Sequence, residues 1–121
     1  MVLVDTSIWV SHLKSGNAHL KELLQEGKVI SHPFIIGELA CGNLRNREEI
    51  LSLLQTLPEA VTAAHDEVLQ FIVEQRLMGL GLGYVDIQLL AAARLTAVPL
   101  WTYDKRLKAA AVRLQVDFKS D

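Results

Sequence analysis

The sequence predicts an α/β fold, with a central parallel sheet covered by helices on both faces. Three observations carry this. Short β-rich runs alternate with helical patterns along the whole chain, no Pro-, Gly- or Ser-rich linker divides them, and 121 residues fit a single domain, 1–121. A parallel pair of strands needs a crossover connection, so helices between successive strands imply parallel neighbours. No low-complexity segment and no repeat at a solenoid period competes with that architecture.

In chain order, the β-rich runs are VLVD (2–5), KVIS (28–31), EAVTA (59–63), VPLWT (98–102) and VDF (116–118). Asn17 is placed to cap a helix whose apolar positions Leu20, Leu23 and Leu24 end at Gly27. Pro33 suits the first turn of a helix running to about Gly42, and a second helix follows through Ile50, Leu53 and Leu54. Asp66 is the expected cap of the next helix, with Leu69, Ile72, Val73 and Leu77 on one side and Gly79 as its stop. GYVDIQLLAAARLTA is apolar nearly all round, which predicts a central, buried helix. The last helix starts near Asp104 and closes before Gln115.

Composition narrows the class. Hydrophobic residues make up 50% and charged ones 21%, as in ordinary soluble globular proteins and unlike disordered chains. Lys and Arg number 12 against 14 Asp and Glu, so the net charge of −2 gives no overall attraction to a polyanion. A nucleic-acid partner would need a local basic patch or bound cations. No basic stretch precedes the first apolar segment, and Asp5 breaks that segment too early for a secretory signal. Leu77 to Ala93 has too many polar breaks to span a membrane. A soluble, cytoplasmic protein is expected, with the lone Cys41 as a small buried side chain.

The chemistry lies in where charge is sparse. Asp5 is the only Asp, Glu, Lys or Arg between Met1 and Leu13, Glu38 between Pro33 and Leu44, and Asp86 between Leu77 and Ala93. Asp104 ends an uncharged run from Leu95 to Tyr103. Asp5 and Asp104 both close apolar strands, and ligands of parallel sheets bind beyond the carboxyl ends of the strands. Glu38 has Phe34 and Ile35 one turn before it and Cys41 and Gly42 one turn after, and Asp86 precedes Leu89 and Leu90, so both are placed on apolar helical faces. Four carboxylates aimed inward would repel, by about 4 kcal/mol for a pair about 4 Å apart at an effective dielectric of about 20. A hard divalent cation, Mg²⁺ or Mn²⁺, relieves that repulsion through carboxylate, water and phosphate oxygens. Zinc is disfavoured, since His12, His19, His32 and His65 show no pair at ligand spacing. Each acid also has a plainer reading by itself: helix cap for Asp5 or Asp104, first-turn dipole partner for Asp86, surface residue for Glu38.

Four stretches, DTSIW, GEL, GYVDIQLLAAA and TYDKRL, in this order and over nearly the whole chain, resemble the PIN domain, in particular the VapC-type toxin ribonucleases of bacterial toxin–antitoxin pairs. The resemblance implies a three-layer α/β/α sandwich and Mg²⁺- or Mn²⁺-dependent RNA cleavage. It makes Asp5, Glu38, Asp86 and Asp104 the acidic quartet, with Ser7 and Thr102 as polar supports near the metal. It also implies a homodimer and a small antitoxin that blocks the site. Such a site needs no nucleophilic side chain, because a cation can activate water and neutralise the phosphate. Lys105, Arg106 and Lys108 after Asp104, and Arg45 and Arg47 beyond the Glu38 helix, could hold the RNA backbone or be plain solvated charges. Trp9 and Trp101 could stack on bases, but their apolar flanks favour the core.

Two other classes fit the length and the acids. A Mg²⁺-binding phosphoacceptor signalling domain wants adjacent acids after the first strand and a lysine ending a late one; this chain has Asp5 alone and Asp104 where that lysine belongs. A non-catalytic binding module with a structural acid cluster is the second. GLGLG at 79–83 lacks the Lys and Ser or Thr of a triphosphate-binding loop and is expected to be a helix stop and turn.

Overall fold

The computed structural model describes residues 1–119. The elements in order are β1 (Val2–Val4), α1 (Thr6–Ser15), α2 (Ala18–Gln25), β2 (Val29–Ile30), α3 (Pro33–Cys41), α4 (Arg47–Thr56), α5 (His65–Gln75), α6 (Tyr84–Thr96), β3 (Leu100–Trp101) and α7 (Lys105–Arg113). The strand order is β2-β1-β3, with both pairs parallel. Val2 faces Val29 and Leu3 faces Ile30 on one side of β1, while Leu3 faces Leu100 and Val4 faces Trp101 on the other.

The runs expected to be strands at 59–63 and 116–118 contribute one parallel bridge each, Ser31 to Glu59 and Leu100 to Asp117. Both lie at the sheet's edges, where short pairing leaves little template for another chain. On the first edge Pro58 can only accept, from Ser31 N, so the ladder does not extend through it.

Parallel crossovers are right-handed, so the two connections running outward from β1 put α1 to α4 on one face. The return to β3 reverses direction and puts α5 to α7 on the other. The helix contacts follow that division, α1 with α3, α3 with α4, and α5 with α6. Covered on both faces, all three residues of β1 are buried, as are both residues of β2 and of β3. In α6 every residue from Ile87 to Ala93 is buried, as its all-round apolar sequence predicts.

Asn17 caps α2 by accepting from Leu20 N at 2.9 Å, and Pro33 occupies the first position of α3. Asp66 does not cap α5. Ala64 holds the cap position and Asp66 lies in the first turn, while Glu67 Oε1 accepts from Ala64 N at 2.9 Å. Gly79 is not the stop either: α5 ends at Gln75, and Arg76 takes the left-handed conformation, φ 54°. The Arg113 guanidinium donates to the carbonyls of Gln75 and Arg76, which supplies the closing partners a glycine cap would otherwise arrange. Cys41, expected to be buried, is exposed at the end of α3, whereas Trp9 and Trp101 belong to the core. Among the described residues no helix is long and apolar enough to cross a membrane.

Candidate active site

The strand order reverses between β1 and β3, since the chain builds outward through β2 and then returns to the far side of β1. At such a switch point the connections leave in opposite directions and open a crevice beyond the strand ends. Asp5 follows β1 directly, and Thr102, Tyr103 and Asp104 follow β3. The register that sets Val4 beside Trp101 continues with the Asp5 N–H donating to Trp101 O at 2.9 Å, so Asp5 and Thr102 are neighbours.

Asp5 is buried, 7% exposed, and occupies the cap position of α1 without capping it. Its Oδ2 instead accepts from Ser7 Oγ at 2.8 Å and from Thr102 Oγ1 at 2.7 Å. Each hydroxyl has one proton, and both are used on Asp5, so the 3.3 Å approach of the two hydroxyl oxygens is a contact and not a further bond. Behind them, Tyr103 N–H donates to Ser7 Oγ and Asp104 N–H to Thr102 Oγ1, each at 3.0 Å. Two chains of dipoles thus point at one carboxylate oxygen and polarise each other. Oδ1 receives no hydrogen bond among the described residues and is the oxygen left for a ligand.

Asp104 is a helix cap. Its Oδ1 caps α7 by accepting from Arg106 N at 2.9 Å and Leu107 N at 3.0 Å, so the plainer reading of this residue is realised, and Oδ2 receives no hydrogen bond among the described residues. Asp86, half-buried in the first turn of α6, accepts from Gly83 N at 2.9 Å through Oδ2. Burial pushes its carboxyl above the ordinary range; the Gly83 N–H pulls it back, and the charges of Asp104 and Asp5 raise it further. Asp5, Asp86 and Asp104 therefore share one electrostatic neighbourhood. Among the described residues the one salt bridge joins Lys28 to Glu26, so none of these acids is ion-paired there.

Glu38 differs from its expected placement. Ile35 and Leu39 turn into the core and Glu38 faces out, exposed, at the rim. Its Oε1 accepts from Thr6 Oγ1 at 2.7 Å, which ties it to the residue next to Asp5. Thr6 is a contributor that sequence reasoning missed; its only signal was a hydroxyl beside a lone acid. Among the described residues no three His, Cys, Asp or Glu side chains converge into a metal-holding group, so the four acids do not form a closed cage. Mg²⁺ does not require one, since it keeps several waters and takes one or two carboxylates plus substrate phosphates. The donor set fits it: hard oxygens, with a free Oδ1 on Asp5 and mutual repulsion at Asp86. The histidines are engaged elsewhere, His12 with Asn17 N, His32 with Phe34 N, His65 with Tyr84, and His19 against Trp101 and Phe118.

The basic residues separate. Arg47 donates to Gly42 O at 3.3 Å and so helps close the turn between α3 and α4. Arg45 lines a cleft with Lys14, on the α1 side of that turn. Arg106 lies across Gly81, where a Cβ would meet its Nη1 at 2.5 Å and where φ is +77°, so the GLGLG stretch is a turn that seats an arginine. Lys105 and Lys108 are exposed on α7. Thr102→Val keeps the volume but removes a donor to Asp5 and the acceptor for Asp104 N–H. It is expected to lower stability by about 1–3 kcal/mol in urea denaturation. A change below about 0.5 kcal/mol would show the web is idle.

Residues 2–113 match the family model described as PIN domain. The chain is 47% identical over 111 residues to the protein named Ribonuclease VapC32 in two strains of Mycobacterium tuberculosis, covering 91% of this chain and 90% of that relative. The crystal structure of PAE2754 from Pyrobaculum aerophilum superposes with a TM-score of 0.62 at 20% identity, over 94% of this chain and 88% of that one, which is a likeness of fold.

Proposed function

The chain belongs to the PIN-domain family, as a VapC-type ribonuclease, and from that premise we propose that it is a metal-dependent endoribonuclease, the toxin of a toxin–antitoxin pair that inhibits translation. One observation supports the metal dependence: the charges of Asp5 and Asp104, on two other elements, act on the half-buried Asp86 at the switch point, and among the described residues none of the three is in a salt bridge. Mg²⁺ or Mn²⁺ is the cofactor these oxygens suit.

Asp5, Asp86 and Asp104 would hold the cation, with Glu38 at the rim. A divalent ion bound there supplies Lewis acidity, lowering the pKa of a water and offsetting charge on the phosphate. The chain's own part is positional. Ser7 and Thr102 fix the Asp5 carboxylate, the Gly83 N–H fixes Asp86, and the α7 backbone fixes Asp104, so none reorganises when RNA arrives. Arg45, Arg47, Lys105, Arg106 and Lys108 hold the RNA backbone in this reading, with Arg106 placed by Gly81. The whole chain, 1–121, acts as one cytoplasmic PIN-like domain that forms a homodimer and is blocked by a small antitoxin.

Purified protein incubated with mixed cellular RNA is expected to produce discrete cuts in Mn²⁺ or Mg²⁺ and none with chelator. Intact RNA under all conditions, or labelling by acetyl phosphate instead, would sink the reading in favour of a binding module or a phosphoacceptor domain.

A further inference from the structure

Beside β3 and the first turns of α7 lies an open cleft of about 180 Å³ whose walls include Thr102, Tyr103, Lys108, Asp117, Phe118 and Lys119. Tyr103 is 53% exposed although it sits between Thr102, which holds Asp5, and Asp104. Tyr103 is anchored nonetheless, at its backbone and at the tip of its ring. Its N–H donates to Ser7 Oγ at 3.0 Å and its hydroxyl accepts from Asn17 Nδ2 at 2.9 Å. The Asn17 amide has no freedom to turn away, because its Oδ1 is committed to Leu20 N as the cap of α2. Trp101 supports the ring edge-on, with centroids 6.4 Å apart and planes at 78°.

We propose that this cleft binds one nucleotide of single-stranded RNA adjacent to the scissile phosphate, its base stacked on Tyr103 and its phosphate near Lys108 and Lys119. The substrate class rests on the ribonuclease function proposed above; the cleft itself rests on its own geometry. A base offers a π-face whatever its identity, and a ring already immobilised loses little rotamer freedom on stacking. The tryptophans cannot serve, since Trp9 and Trp101 are buried at 2% and 5% exposure. Lys108 and Lys119 outnumber Asp117 in cationic charge, and Asp117 can accept from an exocyclic amine, so the cleft offers partners to both ends of a nucleotide. Thr102 connects it to Asp5 through one hydrogen bond, which places the bound nucleotide next to the acids.

Binding of a 5′-fluorescein-labelled ten-residue oligouridylate, followed by anisotropy with chelator present to prevent cleavage, tests this on the full chain. Tyr103→Ala is expected to weaken binding by about tenfold to a hundredfold. Tyr103→Phe keeps the ring and stays within about threefold of wild type; Lys108→Ala weakens binding and flattens its salt dependence. An abasic site scanned through the oligomer should produce, at one position, a loss on the wild-type protein that is absent on Tyr103→Ala. Should the alanine variant fail to fold, the same scan is read against Tyr103→Leu, which keeps apolar bulk but has no ring to stack. Wild-type affinity in Tyr103→Ala, equal losses in the Phe and Ala variants, no position-dependent abasic loss, or no binding by the wild type would each overturn the cleft. Tyr103-dependent binding without any cleavage in Mn²⁺ would keep the cleft and sink the ribonuclease function, so the two failures are distinguishable.

Discussion

Asp86→Asn is expected to cut RNA cleavage by about a thousandfold or more in Mg²⁺ or Mn²⁺ while leaving the fold intact. Cation-assisted charge stabilisation amounts to several kcal/mol, and each ~1.4 kcal/mol is about tenfold in rate. The amide has nearly the volume of the carboxylate, and one of its atoms must still face Gly83 N at the place where Oδ2 now accepts. An asparagine oxygen can still accept that bond, so the helix start survives while the anion is lost. Asp5→Asn should lose as much activity at some cost in stability: an amide oxygen in the place of Oδ2 still accepts from Ser7 and Thr102, but two charge-assisted bonds become neutral ones. Single-turnover rates on mixed RNA, with thermal melts to certify folding, make the measurement. Either variant cleaving at the wild-type rate would remove that carboxylate from the machinery.

The proposed cation site links metal binding to stability through the same carboxylates. Mg²⁺ or Mn²⁺ at about 100 times its dissociation constant is expected to stabilise the wild type by about 2.7 kcal/mol, through preferential binding to the folded state. Asp86→Asn and Asp5→Asn should gain much less. Without metal, Asp86→Asn should be at least as stable as the wild type at neutral pH. The sign follows from the carboxyl being raised above its ordinary value by burial, with Asp104 and Asp5 adding to it. A folded-state acid with a raised pKa is most favourable when protonated, and it destabilises as pH climbs through that value. The asparagine mimics the protonated form and escapes this. Denaturant titrations with chelator and with cation measure both effects. Equal metal-induced gains in wild type and variants would show that these carboxylates are not the ligands.

Much of the frame was legible because it depends on local pattern. Apolar strands, Asn17 and Asp104 as caps, Pro33 at a first turn and the all-round apolar α6 each follow from a few adjacent residues. The misplacements have local causes too. Asp66 stands two residues past the cap of α5, where a carboxylate also favours the helix dipole, so its residue type did not distinguish the positions. The end of α5 at Arg76 was hidden because its carbonyls are satisfied by Arg113, far along the chain. The phase of Glu38 is not fixed locally: helical spacing says that Phe34, Glu38 and Cys41 share a side, but not that Ile35 and Leu39 are the pair that faces the core.

By itself, the sequence determined that this chain alternates strand and helix and that solitary acids follow apolar runs, because hydrophobic period and charge spacing are properties of neighbouring residues. Only the tertiary structure decided that Asp5 and Thr102, 97 positions apart, share a hydrogen bond, that Asn17 steadies Tyr103, and that Gly81 leaves room for Arg106. These meetings depend on sheet register and on the side to which each crossover turns. Both are set by how complete faces pack against one another, and no short stretch of residues contains them.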